Sequence, residues 1–240
     1  MAELIGRMET WGKRCTHRSV DTVYFGGGTP TFFGSEGMST LLAAIRKNFD
    51  VAMDAEITFE ANPDSITDKL LRRLRSEGFN RVSLGIQTDN DELLSQLGRP
   101  HDYQQAVDAV KKIRRHGFKN LSVDLMYGLT GQTIQNWIHA LANITKLNPE
   151  HISCYGLKIE PGTPLCKQAS ALEIPDDDLQ ADMYLFTVDY LARHGYKQYG
   201  TVMGDDFAEL TSRRPWMVVS NTWCLKKLYN SSMAQLFYDS

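Results

Sequence analysis

The feature that most constrains this chain is a punctuation mark that recurs along it: a glycine that stops a helix, an apolar residue, a short polar turn, then a strand. Gly78-Phe79-Asn80-Arg81-Val82-Ser83 is matched by Gly117-Phe118-Lys119-Asn120-Leu121-Ser122 at an offset of 39 residues, and Gly195-Tyr196-Lys197 begins like a third copy. A unit of one helix and one strand fits a (β/α) barrel or its open relative better than a doubly wound sheet. The flanking pattern agrees. Short β-branched or apolar segments predict strands at Asp21–Phe25, Glu56–Glu60, Arg81–Ile86, Leu121–Met126 and His151–Lys158. Between them, apolar residues at helical spacing predict amphipathic helices: Met38, Leu41, Leu42, Ile45 and Phe49; Ile66, Leu70, Leu71 and Leu74; Tyr103, Ala106, Val107, Val110 and Ile113. Trp137, Ile138, Leu141 and Ile144 form a fourth stripe, and Leu179, Met183, Phe186 and Tyr190 a fifth. Ser65 or Thr67, Asp102, Thr133 and Asp176 stand where N-caps belong. Strand and helix in alternation predict a parallel sheet of right-handed βαβ units.

Strand parity then indicates where ligands would bind. Val82, Leu84 and Ile86 share one face of their strand, opposite Ser83, Gly85 and Gln87. Leu121, Val123 and Leu125 oppose Ser122 and Asp124; Ile57 and Phe59 oppose Thr58 and Glu60. Three strands thus end in a polar residue on the small-residue face: Glu60, Gln87 and Asp124. At the C-terminal mouth of a barrel they would converge on one site; a polar strand end more often simply reaches water, and it is the three on one parity that bring the two readings level.

Composition excludes several classes. Hydrophobic residues are 42% of the 240 and charged residues 23%, enough apolar material for a sizeable core. A formal net charge of −3 gives no support to a nucleic-acid partner. The longest uncharged run, Leu125–Thr145, is too polar to span a bilayer, and Glu3, Arg7 and Glu9 interrupt any signal-peptide pattern. The reading is of a cytoplasmic protein with reduced thiols. Cys15, Cys154, Cys166 and Cys224 are separated by 139, 12 and 58 residues, so no metal knuckle is written here.

The first strand runs into Gly26-Gly27-Gly28-Thr29-Pro30-Thr31, which lacks both the Gly-Lys-Ser/Thr ending of a P-loop and the last glycine of GxGxxG. Its glycines would expose backbone amides and carbonyls to a closely approaching ligand. With its strand, at residues 20–31, it resembles the radical S-adenosylmethionine family of oxygen-independent coproporphyrinogen III oxidases and their heme-chaperone relatives. So do Glu60-Ala61-Asn62-Pro63, Ser83-Leu84-Gly85-Ile86-Gln87, Leu97-Gly98-Arg99 and Val123-Asp124-Leu125-Met126-Tyr127-Gly128-Leu129. Gly131-Gln132-Thr133, Leu147-Asn148-Pro149 and Glu160-Pro161-Gly162-Thr163-Pro164-Leu165 continue the resemblance, which spans residues 1–199.

The resemblance implies an S-adenosylmethionine site. Gly26, Gly27, Gly28 and Thr29 would hold the amino group of the cofactor, Arg99 its carboxylate, and Gln87 and Asp124 the ribose hydroxyls. Glu60 would be a further cofactor contact, and the adenine would lie against the strand ends of Met126 and Lys158. It also implies a [4Fe–4S] cluster on a CxxxCxxC loop that should precede Val20 by some tens of residues, where this chain has nineteen. Leu4, Ile5, Met8 and Trp11 look like the helix after that loop. The cluster ligands are therefore absent from this chain.

The expected fold is α/β, a partial (β/α) barrel of radical S-adenosylmethionine type lacking its first strand over residues 1–199. A divergent tail of uncertain structure follows over residues 200–240. That tail bears no likeness to the family's usual C-terminal domain. The family is one of oxidoreductases whose radical chemistry needs the cluster motif that this chain lacks. Three functions are carried. The chain is a fragment of a heme chaperone, which the Gly131–Thr133 and Glu160–Leu165 segments resemble more; or of a coproporphyrinogen III dehydrogenase, in which a 5′-deoxyadenosyl radical starts oxidative decarboxylation of propionates; or an inactive truncated product. Heme or a porphyrin would be the small-molecule partner, with a membrane-associated heme recipient in the chaperone reading. His101 reads as a loop-rim surface group, His139 as a residue at a helix boundary. Asp176-Asp177-Asp178 reads as an acidic helix start, Cys154 as a buried strand residue and Cys166 as a loop thiol.

Overall fold

The computed structural model describes residues 1–15, 19–157, 159 and 172–200, and the backbone of 216–220. Lys158, the Glu160–Leu165 turn, Cys166 and Cys224 lie outside the described residues. Seven strands are present in these: β1 Ser19–Phe25, β2 Asp50–Ala61, β3 Arg81–Gln87, β4 Asn120–Tyr127, β5 His151–Gly156, β6 Lys197–Gly200 and β7 Trp216–Ser220. Their spatial order is β1-β2-β3-β4-β5-β7-β6, and every pairing is parallel. The helices are α1 Ala2–Gly12, α2 Gly34–Asn48, α3 Asp68–Glu77, α4 Asp91–Gln96, α5 Tyr103–Arg115, α6 Ile134–Lys146 and α7 Asp177–Arg193. From β1 to β5 each strand lies beside the next in sequence, the order of a (β/α) barrel left open. β1 stands at the edge, with β2 as its ladder partner.

The recurring helix stop is a real structural unit. Gly78, Gly117 and Gly195 take φ values of 103°, 81° and 85°, which a side chain would resist. After each, the N–H of the apolar residue reaches back five positions: Phe79 to Leu74 O, Phe118 to Ile113 O and Tyr196 to Leu191 O, at 3.1, 3.3 and 3.0 Å. This is the Schellman closure, and the apolar residue that follows the glycine is buried in each copy. The repeat also extends back into the helices. Arg75 and Arg114 each donate from Nη1 to the carbonyl of the following phenylalanine, Phe79 and Phe118, both at 3.3 Å. At the other helix ends, Thr67, Asp102, Thr133 and Asp176 accept from the amides of Leu70, Gln105, Asn136 and Leu179. Each such cap stabilises its helix by about 1 kcal/mol.

Alternation along the strands sorts the residues as expected. Ile57, Phe59, Val82, Leu84, Leu121, Val123, Leu125, Ile152 and Cys154 are buried in the core with residues from the helices. The other face is polar and cross-linked. Glu56 pairs with Arg81 (3.8 Å) and accepts from Asn120 Nδ2 (3.1 Å). His151 meets the Ser122 hydroxyl through Nδ1 and the Tyr199 hydroxyl through Nε2, both at 2.7 Å.

Three details differ from the expectation. β2 begins at Asp50 rather than Glu56, because the register jumps from Val20↔Val51 to Thr22↔Glu56. Ala52–Ala55 therefore bulge opposite Asp21, leaving Met53 fully exposed. Phe49 is not helical but caps α2 in an extended conformation. The short α4, capped by Asn90, is too brief to show a stripe.

Candidate functional site

The C-terminal ends of β1 to β4 and the loops that follow them carry the residues that the strand pattern singled out. Beyond β1, Gly27 and Gly28 have φ values of 85° and 59°. The Gly27 N–H donates to Glu60 Oε2 at 3.0 Å, and the Tyr24 hydroxyl donates to Glu60 Oε1 at 2.7 Å. Glu60, at the end of β2, therefore holds the glycine loop through its backbone. A Cβ on Gly26 would come within 2.5 Å of the Tyr24 ring and 3.0 Å of Glu60 Oε1, so a side chain there would push the Tyr24 ring off its place beside Glu60. Gly28 has nothing within 4 Å of where its Cβ would be, which leaves that backbone open to a ligand.

Asn62, just past β2, joins two further parts. Its Oδ1 accepts from Arg99 Nη1 at 3.2 Å, and its Nδ2 donates to Thr29 Oγ1 at 3.4 Å. Arg99 is thereby oriented by the same element that touches the glycine loop. On β3, Gln87 is 3% exposed and its Oε1 accepts from the Tyr155 hydroxyl at 2.6 Å. Gly85 makes room for this: a Cβ there would lie 2.7 Å from Gln87 Nε2 and 3.3 Å from Asn62 Oδ1.

On β4, Asp124 accepts from the Ser83 hydroxyl at 3.3 Å. Burial, and then the Glu60 carboxylate, raise its pKa from 3.8 to about 7, against the pull of Arg81 and of hydrogen bonds from Ser153 and Ser83. Met126, two residues on, forms a small apolar cluster with Leu93 and Leu129, packed by Leu97, Tyr155 and Leu157.

Sequence reasoning overlooked Tyr24, Asn62 and Tyr155. Tyr155 shares strand parity with His151 and Ser153, so the parity argument extended to β5 would have found it. Asn62 falls beyond the strand end, where parity has no hold. Two histidines are corrected. His101 is not a surface group: it is 3% exposed, and Nε2 lies 3.4 Å from Ile86 O. Burial lowers its pKa, so the ring is neutral near neutral pH. His139 lies within α6, not at its boundary, and its Nδ1 meets the buried Asp89 carboxylate at 2.7 Å.

This arrangement suits a ligand with a charged amino-acid end and an apolar ring. Arg99 can take a carboxylate, Glu60 and the glycine backbone an ammonium, Gln87 and Asp124 hydroxyls, and the Met126 cluster a planar base. An iron–sulfur cluster does not fit the described residues in the same way. Among them no three His, Cys, Asp or Glu side chains come together as a metal-binding group, and Cys154 is buried in the core. No helix among them is long and apolar enough to cross a membrane.

Comparison with known proteins identifies the family. The Radical SAM superfamily matches residues 7–144. The heme chaperone HemW of Lactococcus lactis is 36% identical over 180 residues, covering 74% of this chain and 48% of that protein. HemW of Escherichia coli is 38% identical over 184 residues, covering 77% and 48%. The structure of the E. coli coproporphyrinogen III oxidase HemN, a radical SAM enzyme, superposes with a TM-score of 0.73 at 29% identity, covering 82% of this chain and 45% of its own. The chain spans about half the length of the curated relatives it matches.

Proposed function

Because the chain belongs to the radical S-adenosylmethionine superfamily, with heme chaperones among its curated relatives, we propose that it carries the S-adenosylmethionine-binding half of a heme-chaperone protein. The observation that carries this reading is the Thr29–Asn62–Arg99 connection. One side chain aligns a guanidinium with a glycine loop whose backbone is open. In this reading Gly26, Gly27, Gly28 and Thr29 present backbone to the ammonium beside Glu60, and Arg99 takes the carboxylate. Gln87 and Asp124 take ribose hydroxyls, and the adenine rests on Met126.

S-adenosylmethionine supplies radical chemistry only where a reduced cluster acts on it. What this chain's own residues do is bind and orient. Heme or a porphyrin is the proposed small-molecule partner, with a membrane-associated recipient for delivery and a cytoplasmic setting. Coproporphyrinogen oxidation is the second reading, favoured by the structural likeness to HemN.

Calorimetric titration with S-adenosylhomocysteine tests the site. Saturable one-to-one binding, lost in Arg99→Ala, is expected; binding unaffected by that change would overturn the assignment. Two assays on a full-length relative separate the two functions: tight hemin binding supports the chaperone, and conversion of coproporphyrinogen III on adding S-adenosylmethionine and a reductant supports the oxidase.

A further inference from the structure

The ladder between β3 and β4 skips one residue. Gly85 pairs with Asp124 and Gln87 with Leu125, so Ile86 has no place in the register. A buried carbonyl left out of a ladder needs another donor. Ile86 O has two: the Thr88 N–H at 3.0 Å and His101 Nε2 at 3.4 Å. The Thr88 bond closes a three-residue turn around Gln87, whose φ of 72° is one of two positive values among the described non-glycine residues. A turn of this hand is rare and strained, and persists only where its surroundings hold it.

His101 is that support. A carbonyl can only accept, so the nitrogen facing it carries the proton and the tautomer is Nε2–H. The other nitrogen, Nδ1, has no hydrogen-bond partner among the described residues although it is buried. Burying an unpartnered nitrogen is costly, and no helix or strand requires a histidine here. The second bond to Ile86 O offsets that cost.

We propose that His101 is a positioning residue: its Nε2–H holds the Ile86 carbonyl, thereby fixing the left-handed turn at Gln87 and the direction in which the Gln87 carboxamide is presented at the site. His101 itself touches no ligand. Its effect on ligand binding rests on the reading above; its effect on the turn does not.

The two are tested separately with the full 240-residue chain. In the wild type, nitrogen-15 NMR should show His101 as a neutral ring protonated at Nε2, with an exchange-protected Thr88 amide; the opposite tautomer would overturn the clamp. His101→Leu should lose Thr88 protection, and His101→Gln, whose amide can reach the same carbonyl, should restore it. Equal protection in all three proteins would also overturn it. With S-adenosylhomocysteine as the probe, His101→Leu should weaken binding roughly tenfold and His101→Gln recover most of that loss. A loosened turn with unchanged affinity would refute the presentation of Gln87. Failure of the wild type to bind the probe would instead sink the cofactor reading and leave the clamp to the exchange data.

Discussion

Tyr155 donates its hydroxyl to Gln87 Oε1 at 2.6 Å, joining β5 to the end of β3 across the strand that lies between them. Gln87 is almost wholly buried, so its carboxamide oxygen has little water to fall back on. Tyr155→Phe keeps the ring that packs beside Met126 and removes the donor. Urea unfolding should show a loss of about 1–2 kcal/mol, and affinity for S-adenosylhomocysteine should drop several-fold. A stability loss with no change in affinity would separate Gln87 from the ligand site.

Two groups on the polar face pull stability in opposite directions with pH. The folded state raises the pKa of Asp124 from 3.8 to about 7, so between these values it holds a proton that the unfolded chain has released. Raising the pH strips that proton, and stability falls. His151 is lowered from 6.5 to about 3, chiefly by burial and then by Arg81, so the unfolded chain binds a proton that the folded one refuses. Raising the pH removes that preference, and stability rises. The slopes oppose each other from about pH 4 to about pH 6.5, each at most about 1.4 kcal/mol per pH unit. Asp124→Asn should therefore unmask a rise in urea midpoint with pH, and His151→Gln a fall. Slopes of the same sign in both variants would contradict these assignments.

Alternation of apolar and polar residues made the end of β2, β3 and β4 readable, because one face of each must be buried and a shift of one residue would turn every side chain over. That argument reached Glu60, Gln87 and Asp124, but it assumes an unbroken ladder. It could not see that Ile86 drops out of register, since the apolar side chain of Ile86 still points into the core. His101 follows Gly-Arg-Pro, where no period exists from which to infer burial. Asn62 acts through partners 33 and 37 residues away in sequence, contacts that only the folded chain creates.

The matched helix stops should not be equally tolerant. Gly78 and Gly117 both have positive φ, so alanine at either strains the backbone by about 1 kcal/mol. At Gly78 the new Cβ would also lie 2.6 Å from Arg46 Nη2, whereas at Gly117 the nearest atom, Arg75 Nε, is 3.9 Å away. Arg46 donates from Nη1 to Glu77 O at 2.8 Å, a bond tying α2 to the end of α3 that it would have to give up or bend. Thermal unfolding should rank Gly78→Ala below Gly117→Ala by a further 0.5 kcal/mol or so. The reverse order would show that Arg46 moves aside freely.

The join between α6 and α7 rests on Trp137, which is fully buried and whose ring tilts against Tyr127 at a centroid distance of 5.5 Å. Its indole N–H donates to Thr187 Oγ1 at 2.7 Å and lies 3.2 Å from Met183 O. Thr187 donates its own hydroxyl to Met183 O at 2.6 Å, so the hydroxyl accepts from one helix and donates within the other. Trp137→Phe deletes the indole donor and part of the core volume, and should cost about 2–3 kcal/mol. Thr187→Val removes the acceptor while Met183 O remains within reach of the indole, and should cost about 1 kcal/mol. Because both changes break the same bond, the double variant should lose about 1 kcal/mol less than the sum. Strict additivity in that cycle would mean that packing, not the hydrogen bond, holds the two helices together.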